Sequence, residues 1–114
     1  MNGSELIAKE RIRQVEEEDY DVIHDGQHKE NALAEAAVCY IMCKENVIPR
    51  HVSEISPGDL FTGEGMRDAI IWAFWPWGWK REWFKPKTRI RNLVRAGALI
   101  AAEIDRLQAL ENGK

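Results

Sequence analysis

Residues 88–110 read TRIRNLVRAGALIAAEIDRLQAL. Thr88 is a good helix N-cap residue, and Pro86 just before it breaks whatever precedes. Behind the cap, Ile90, Leu93, Gly97, Ile100, Ile104 and Leu107 recur at alternating spacings of three and four, the period of one helical face. Val94, Leu99 and Ala101 widen that stripe, and the run AGALIAA is small enough for a second helix to approach closely. The stretch therefore predicts a long helix whose aliphatic stripe packs inward.

A matching element lies upstream. Leu33, Ala36, Ala37, Tyr40, Ile41 and Lys44 follow the same rule, and Ala34, Val38 and Met42 add apolar positions. This predicts a helix over about 28–45, paired antiparallel with the helix over about 88–110 at the centre of a bundle. Ser4 ahead of ELIAKERIRQVEEE predicts a first helix over about 5–18, packed through Ala8, Ile12 and Val15. MRDAIIWAFW predicts a shorter one, stopped by Pro76. Between them, 46–65 holds prolines, glycines and short polar runs and reads as a loop with at most a short strand or a helical turn. The fold class expected is all-α: one domain over 1–114, a small helical bundle with a Trp-rich loop.

The chain has 114 residues, long enough for a core without disulfides. Its two cysteines, Cys39 and Cys43, share one helical face, a spacing that predicts buried thiols in a reducing compartment. No apolar run approaches a membrane span of about 20 residues, and the N-terminus reads as lacking a signal peptide, so a cytoplasmic location is expected. The net charge of −3 is uneven: residues 1–63 carry 13 acids against 6 bases, and residues 64–114 carry 6 against 10. A basic patch on an acidic chain suits a small anion better than duplex DNA or another long nucleic acid.

All five tryptophans fall in WAFWPWGWKREW, residues 72–83. Pro76 and Gly78 preclude a regular helix there and splay the rings. Such rings can cap a small bundle, each burying about 150–250 Å². They can also form a stacking platform for a base, with cations alongside for phosphate. On that reading the ligand-binding residues are Trp75, Trp77, Trp79, Trp83, Lys85, Lys87, Arg89, Arg91 and Arg95, the last four near a helix N-terminus whose open N–H groups attract anions. His24 and His28, in an acidic run with Asp19, Asp21 and Asp25, are further candidates for ligand contact. That run does not reproduce a metal-ligand spacing. Nor does the sequence hold a nucleophile elbow, a Walker loop or GxGxxG.

Taken in order, KERIRQVEEE, HDGQH, LAEAAVCY, WPWGWKREWFKPK and RNLVRAGALIAAEIDRL resemble a family of small phage and prophage proteins that are similar to the MazG-like all-α nucleoside triphosphate pyrophosphohydrolases. The resemblance implies a bacterial host carrying a phage, and a nucleotide ligand. It also implies Mg²⁺ held by acids on two antiparallel helices. Two positions where those acids are expected hold Ala32 and Asn92 instead, with Glu30, Glu35 and Glu103 nearby out of register. Affinity for a hard cation depends on carboxylate count. The expectation is therefore a homo-oligomeric, cofactor-free protein that sequesters a small nucleotide, such as a cyclic or ADP-ribose-type immune signal, as an anti-defence sponge. The alternatives are a Mg-dependent pyrophosphohydrolase and a structural or protein-inhibitor role.

Overall fold

Asn2 and Glu5 open the first helix by bonding to each other's ends. The Glu5 N–H donates to Asn2 Oδ1 at 2.9 Å, and the Asn2 N–H donates to Glu5 Oε1 at 3.3 Å. This reciprocal cap starts α1 at Gly3, ahead of the expected Ser4, and the helix runs Gly3–Glu18. The structure is a computed structural model, and it describes residues 1–18 and 31–113. Three further α-helices follow among these residues: α2 (Ala32–Met42), α3 (Gly63–Phe74) and α4 (Arg89–Asn112). Among the described residues the fold is an all-α bundle of four helices, with no strand.

The expected central pair is present. Arg89 at the start of α4 donates through Nη1 to the Ile41 carbonyl near the end of α2, and the Asn46 N–H donates to the Lys87 carbonyl at 2.8 Å. One turn or more inward, Tyr40 meets Arg95. These pairings run in opposite directions along the two helices, so α2 and α4 are antiparallel. Thr88 Oγ1 accepts from the Arg91 N–H at 3.2 Å, as its position predicts. The Asn92 side chain clamps the approach to α4, accepting from the Lys87 N–H at 2.7 Å and donating to the Lys87 carbonyl at 3.0 Å. The 46–62 segment carries two short 3₁₀ turns, Val52–Glu54 and Asp59–Phe61. It ends on Thr62, which caps α3.

The face that α4 turns inward departs from expectation. It buries Asn92, Val94, Ala96, Ala98, Leu99, Ala102, Glu103 and Arg106. The aliphatic stripe points outward: Ile90 is 69% exposed and Ile104 50%, with Leu93, Ile100 and Leu107 also exposed. The first helix does the same. Glu10 and Gln14 are buried, while Ala8 and Ile12 face out. The reason is close approach. Leu33, Ala36, Ala37 and Tyr40 on α2 meet the alanine face of α4, and small side chains let two helices pack at short interaxial distance. That contact leaves Arg91 and Arg95 on the flank covered by α1, where Glu10 answers them. Long aliphatics would force the helices apart, so they lie outside the pair.

Both thiols are free and buried, as expected from their spacing. Burial pushes the Cys39 thiol up to about 12, and its Sγ lies 3.2 Å from the Ile71 carbonyl.

Candidate functional site

The aromatic segment leaves α3 at Pro76 and turns at Gly78, whose φ of +89° is a left-handed conformation that glycine adopts without strain. The turn returns the chain towards α2, ending in a 3₁₀ turn, Arg81–Trp83. Three indoles then form a descending series. Trp75 is buried, in ring contact with Tyr40 at 6.3 Å and Phe84 at 4.9 Å between centroids. Trp79 stands edge-on to Trp75 at 5.5 Å and is half-buried. Trp83 follows at 6.2 Å from Trp79 and is 50% exposed. Trp72 takes a different path: its Nε1 donates to the Pro49 carbonyl at 2.9 Å and Arg81 lies over its ring.

Between this series and the helices lies a pocket of about 40 Å³, lined by Gln14, Tyr40, Trp75, Trp79, Trp83, Arg95 and Leu99. That volume takes roughly two water-sized groups, the edge of a ring and not a whole nucleotide. Tyr40 organises its floor. Its hydroxyl lies 3.4 Å from the Trp83 carbonyl and accepts from the Lys85 N–H at 3.2 Å and from Arg95 Nη1 at 3.3 Å. The Arg95 guanidinium also lies over the Tyr40 ring at 5.3 Å.

Glu10 sets the electrostatics beneath the pocket. Its carboxylate accepts from Arg13 Nε and Nη2, both at 2.8 Å, and from Gln14 Nε2 at 3.2 Å. Arg91 Nη2 donates to it as well, and Arg95 Nε lies 3.8 Å away. Burial alone would raise its pKa; the Arg13 hydrogen bond and the charges of Arg91, Arg13 and Arg95 outweigh that and hold it below the ordinary value. Gln14 is buried to the same degree. With its Nε2 committed to Glu10, its Oε1 has no hydrogen-bond donor among the described residues. Turning the amide over would set that oxygen against the carboxylate, so the orientation is fixed. Gln14, with its buried Oε1 lacking a donor among the described residues, thus lines the pocket beside aromatic faces and a guanidinium.

Of the residues singled out by sequence, Trp75, Trp79, Trp83 and Arg95 come together here. Trp77 does not line the pocket and is 100% exposed. The expectation of open N–H groups at the start of α4 is corrected. The Arg89 N–H donates to Glu45 Oε1 at 2.8 Å, the Arg91 N–H to Thr88 and the Lys87 N–H to Asn92. The loop and the end of α2 supply the acceptors an anion was expected to supply. Arg91 is committed to Glu10. The Lys85 side chain is exposed, with its backbone on Tyr40. His24 and His28 lie outside the described residues. Gln14, Tyr40 and Glu10 were not singled out by sequence. The signal available was the demand that Arg91 and Arg95 on one helical face make for a carboxylate.

The carboxylates of a metal site are not assembled among the described residues, where no group of three possible ligands occurs. Glu10 is enclosed by arginines, Glu103 is bound to Arg106 at 2.6 Å, and Asn92 is the loop clamp. A second, open groove of about 560 Å³ runs along Ile41–Glu45, Arg67 and Arg89. Two of its cations are engaged, Lys44 by Glu64 and Arg89 by the Ile41 carbonyl. No helix among the described residues is long and apolar enough to cross a membrane. Comparisons with protein-family models, curated proteins and solved structures find no match to this chain.

Proposed function

We propose that the protein binds a small nucleotide and sequesters it without hydrolysis. The observation that carries this reading is an aromatic pocket lined by Gln14, whose buried Oε1 has no donor among the described residues. A nucleobase offers a flat face and an N–H edge. Its edge enters between Tyr40 and Trp79 to donate to Gln14, and its face stacks on the exposed part of Trp83. Each stacked base gains about 1–3 kcal/mol from such a ring. Phosphate is left at the rim, where Lys80 and Lys85 are exposed and Arg95 reaches the pocket. The pocket admits only the edge of one base, so most of a cyclic or ADP-ribose-type nucleotide, the ligand class proposed, would lie on the surface outside it. An anti-defence role in a phage-carrying host is part of the same proposal and rests on the sequence resemblance.

Binding without hydrolysis is supported by the carboxylates. Those near the pocket are spent on arginines, which leaves no pair to hold Mg²⁺ among the described residues. The test is a tryptophan-fluorescence and calorimetric titration with cyclic dinucleotides, cyclic ADP-ribose isomers and deoxynucleoside triphosphates, followed by denaturation and chromatography of the released ligand. Quenching with recovery of the intact ligand is expected. Recovery of monophosphate and pyrophosphate in the presence of Mg²⁺ would establish the hydrolase instead. A flat response to all of them would leave the rings as packing.

A further inference from the structure

The outward stripe of α4 is a complete heptad seam. Ile90, Leu93, Gly97, Ile100, Ile104 and Leu107 occupy the alternating a and d positions of three successive heptads, and α2 covers the opposite side of the helix. At Gly97 the seam would have a gap. A Cβ there would lie 2.6 Å from Ile7 Cδ1, so the α1 side chain fills the space and keeps the surface continuous. Ile12, on the outward face of α1, extends the patch sideways. The five exposed aliphatics of the seam present roughly 450 Å² of apolar surface, as much as the largest patch on an ordinary monomer. With Ile12, Leu110 and the polar rim, the area approaches the roughly 800 Å² per partner of a standard interface.

We propose that this seam is the interface of a homodimer in which α4 packs antiparallel against α4 of a second copy. A straight seam of period 3.5 is complementary to another of the same period. A two-fold axis passing between Gly97 and Ile100 makes it complementary to itself. Ile90 then meets Leu107, Leu93 meets Ile104, and Ile100 meets the Ile7 side chain that fills the space at Gly97. Charge favours one direction. Lys87 and Arg89 lie at the start of α4, where Arg91 is paired with Glu10, and Glu111 lies at its end. Antiparallel packing sets the basic end of one copy beside the acidic end of the other, whereas parallel packing would bring Arg89 against its own copy. The two helix dipoles are also opposed. The pocket of Gln14 and Trp83 lies outside this seam, so dimerisation and ligand binding are separately testable.

Sedimentation velocity over the micromolar range tests the interface. The wild type is expected at twice the 13.1 kDa of one chain, dissociating on dilution. Ile100→Asp with Ile104→Asp is expected to sediment at 13.1 kDa with unchanged helicity, because both positions face outward. Disulfide trapping tests the direction, and does so even if the aspartate variant fails to fold. Chains carrying Ile90→Cys and Leu107→Cys are mixed under mild oxidation. Mixed disulfides should form faster than either self-disulfide. A wild type that stays at 13.1 kDa throughout, or a dimer that survives both aspartates in a folded chain, would overturn the interface. Preferential 90–90 disulfides would overturn the antiparallel arrangement.

Discussion

Glu10 on α1 is paired with Arg91 and Arg95 on α4, and replacing it by alanine tests how much that junction holds the helices together. Its side chain is fully enclosed and receives Arg13, Gln14, Arg91 and Arg95. Removing one partner from a buried ion pair costs about 3–5 kcal/mol, because the opposite charge is left without compensation. Here part of that cost is returned. Arg91 is more than a third exposed and Arg13 about a quarter, so water takes over some of their charge. Arg95, 17% exposed, recovers least. Discounted for that screening, the loss is about 2–3 kcal/mol. For a domain of this size it lowers Tm by about 8–12 °C. Thermal unfolding followed by circular dichroism at neutral pH measures it, with urea unfolding as a check on the slope. Glu10→Gln keeps the shape and two acceptor or donor positions, and is expected to fall between wild type and Glu10→Ala. A loss under about 0.5 kcal/mol for Glu10→Ala, the level of an ordinary surface change, would refute the assignment of Glu10 as the hub that joins α1 to α4.

Three further outcomes follow from the same geometry. Because Glu10 is held below its ordinary pKa, its contribution is present above the unfolded value and is lost as pH falls through the lower folded value. The urea midpoint of the wild type should therefore drop on acidification below about pH 4.5, and Glu10→Gln should flatten that part of the profile. Trp75→Ala is expected to cost about 3–5 kcal/mol, since the ring is buried against Tyr40 and Phe84, while Trp77→Ala should stay within about 0.5 kcal/mol, both by thermal melts. Gly65→Ala should destabilise by well over 1 kcal/mol, since the added Cβ would lie 1.9 Å from the Asp59 carbonyl oxygen. Gly97→Ala should cost less, because the group displaced is the Ile7 side-chain tip and helix propensity favours alanine by about 1 kcal/mol.

The helices themselves were legible from local chemistry. Thr88 caps α4 where a capping residue follows Pro86, Pro76 lies just past the end of α3, and Leu33, Ala36, Ala37 and Tyr40 mark the buried face of α2. Which face of α4 and α1 turns inward was not legible. Periodicity identifies a stripe that needs covering, without saying whether the cover comes from the same chain. The alanine face of α4 carries little hydrophobicity per residue, yet it gives the closest approach to α2. The buried Glu10 and Gln14 read as polar surface until Arg91 and Arg95 are placed over them. The candidate site divides the same way. Trp75, Trp79 and Trp83 were visible as a cluster in one segment, because proline and glycine force their rings apart locally. Tyr40 and Gln14 come from α2 and α1, far away in the chain, and only the packing of three helices brings them to the same pocket.

A ¹⁵N-edited NMR titration of the indole N–H resonances with cyclic dinucleotides and cyclic ADP-ribose isomers tests the nucleotide pocket directly. All five tryptophans report, each from a different setting. A base that stacks at the pocket should shift the Trp79 and Trp83 indoles and the Gln14 side-chain amide together. The Trp72 and Trp75 indoles, bonded to the Pro49 and Lys80 carbonyls, should move least. In Gln14→Leu the same titration should shift the Trp83 signal only at higher ligand concentration, by about tenfold, the loss expected for one hydrogen bond to a buried acceptor. Shifts confined to the fully exposed Trp77, or none with any of these nucleotides, would contradict the assignment of this pocket as a nucleotide site.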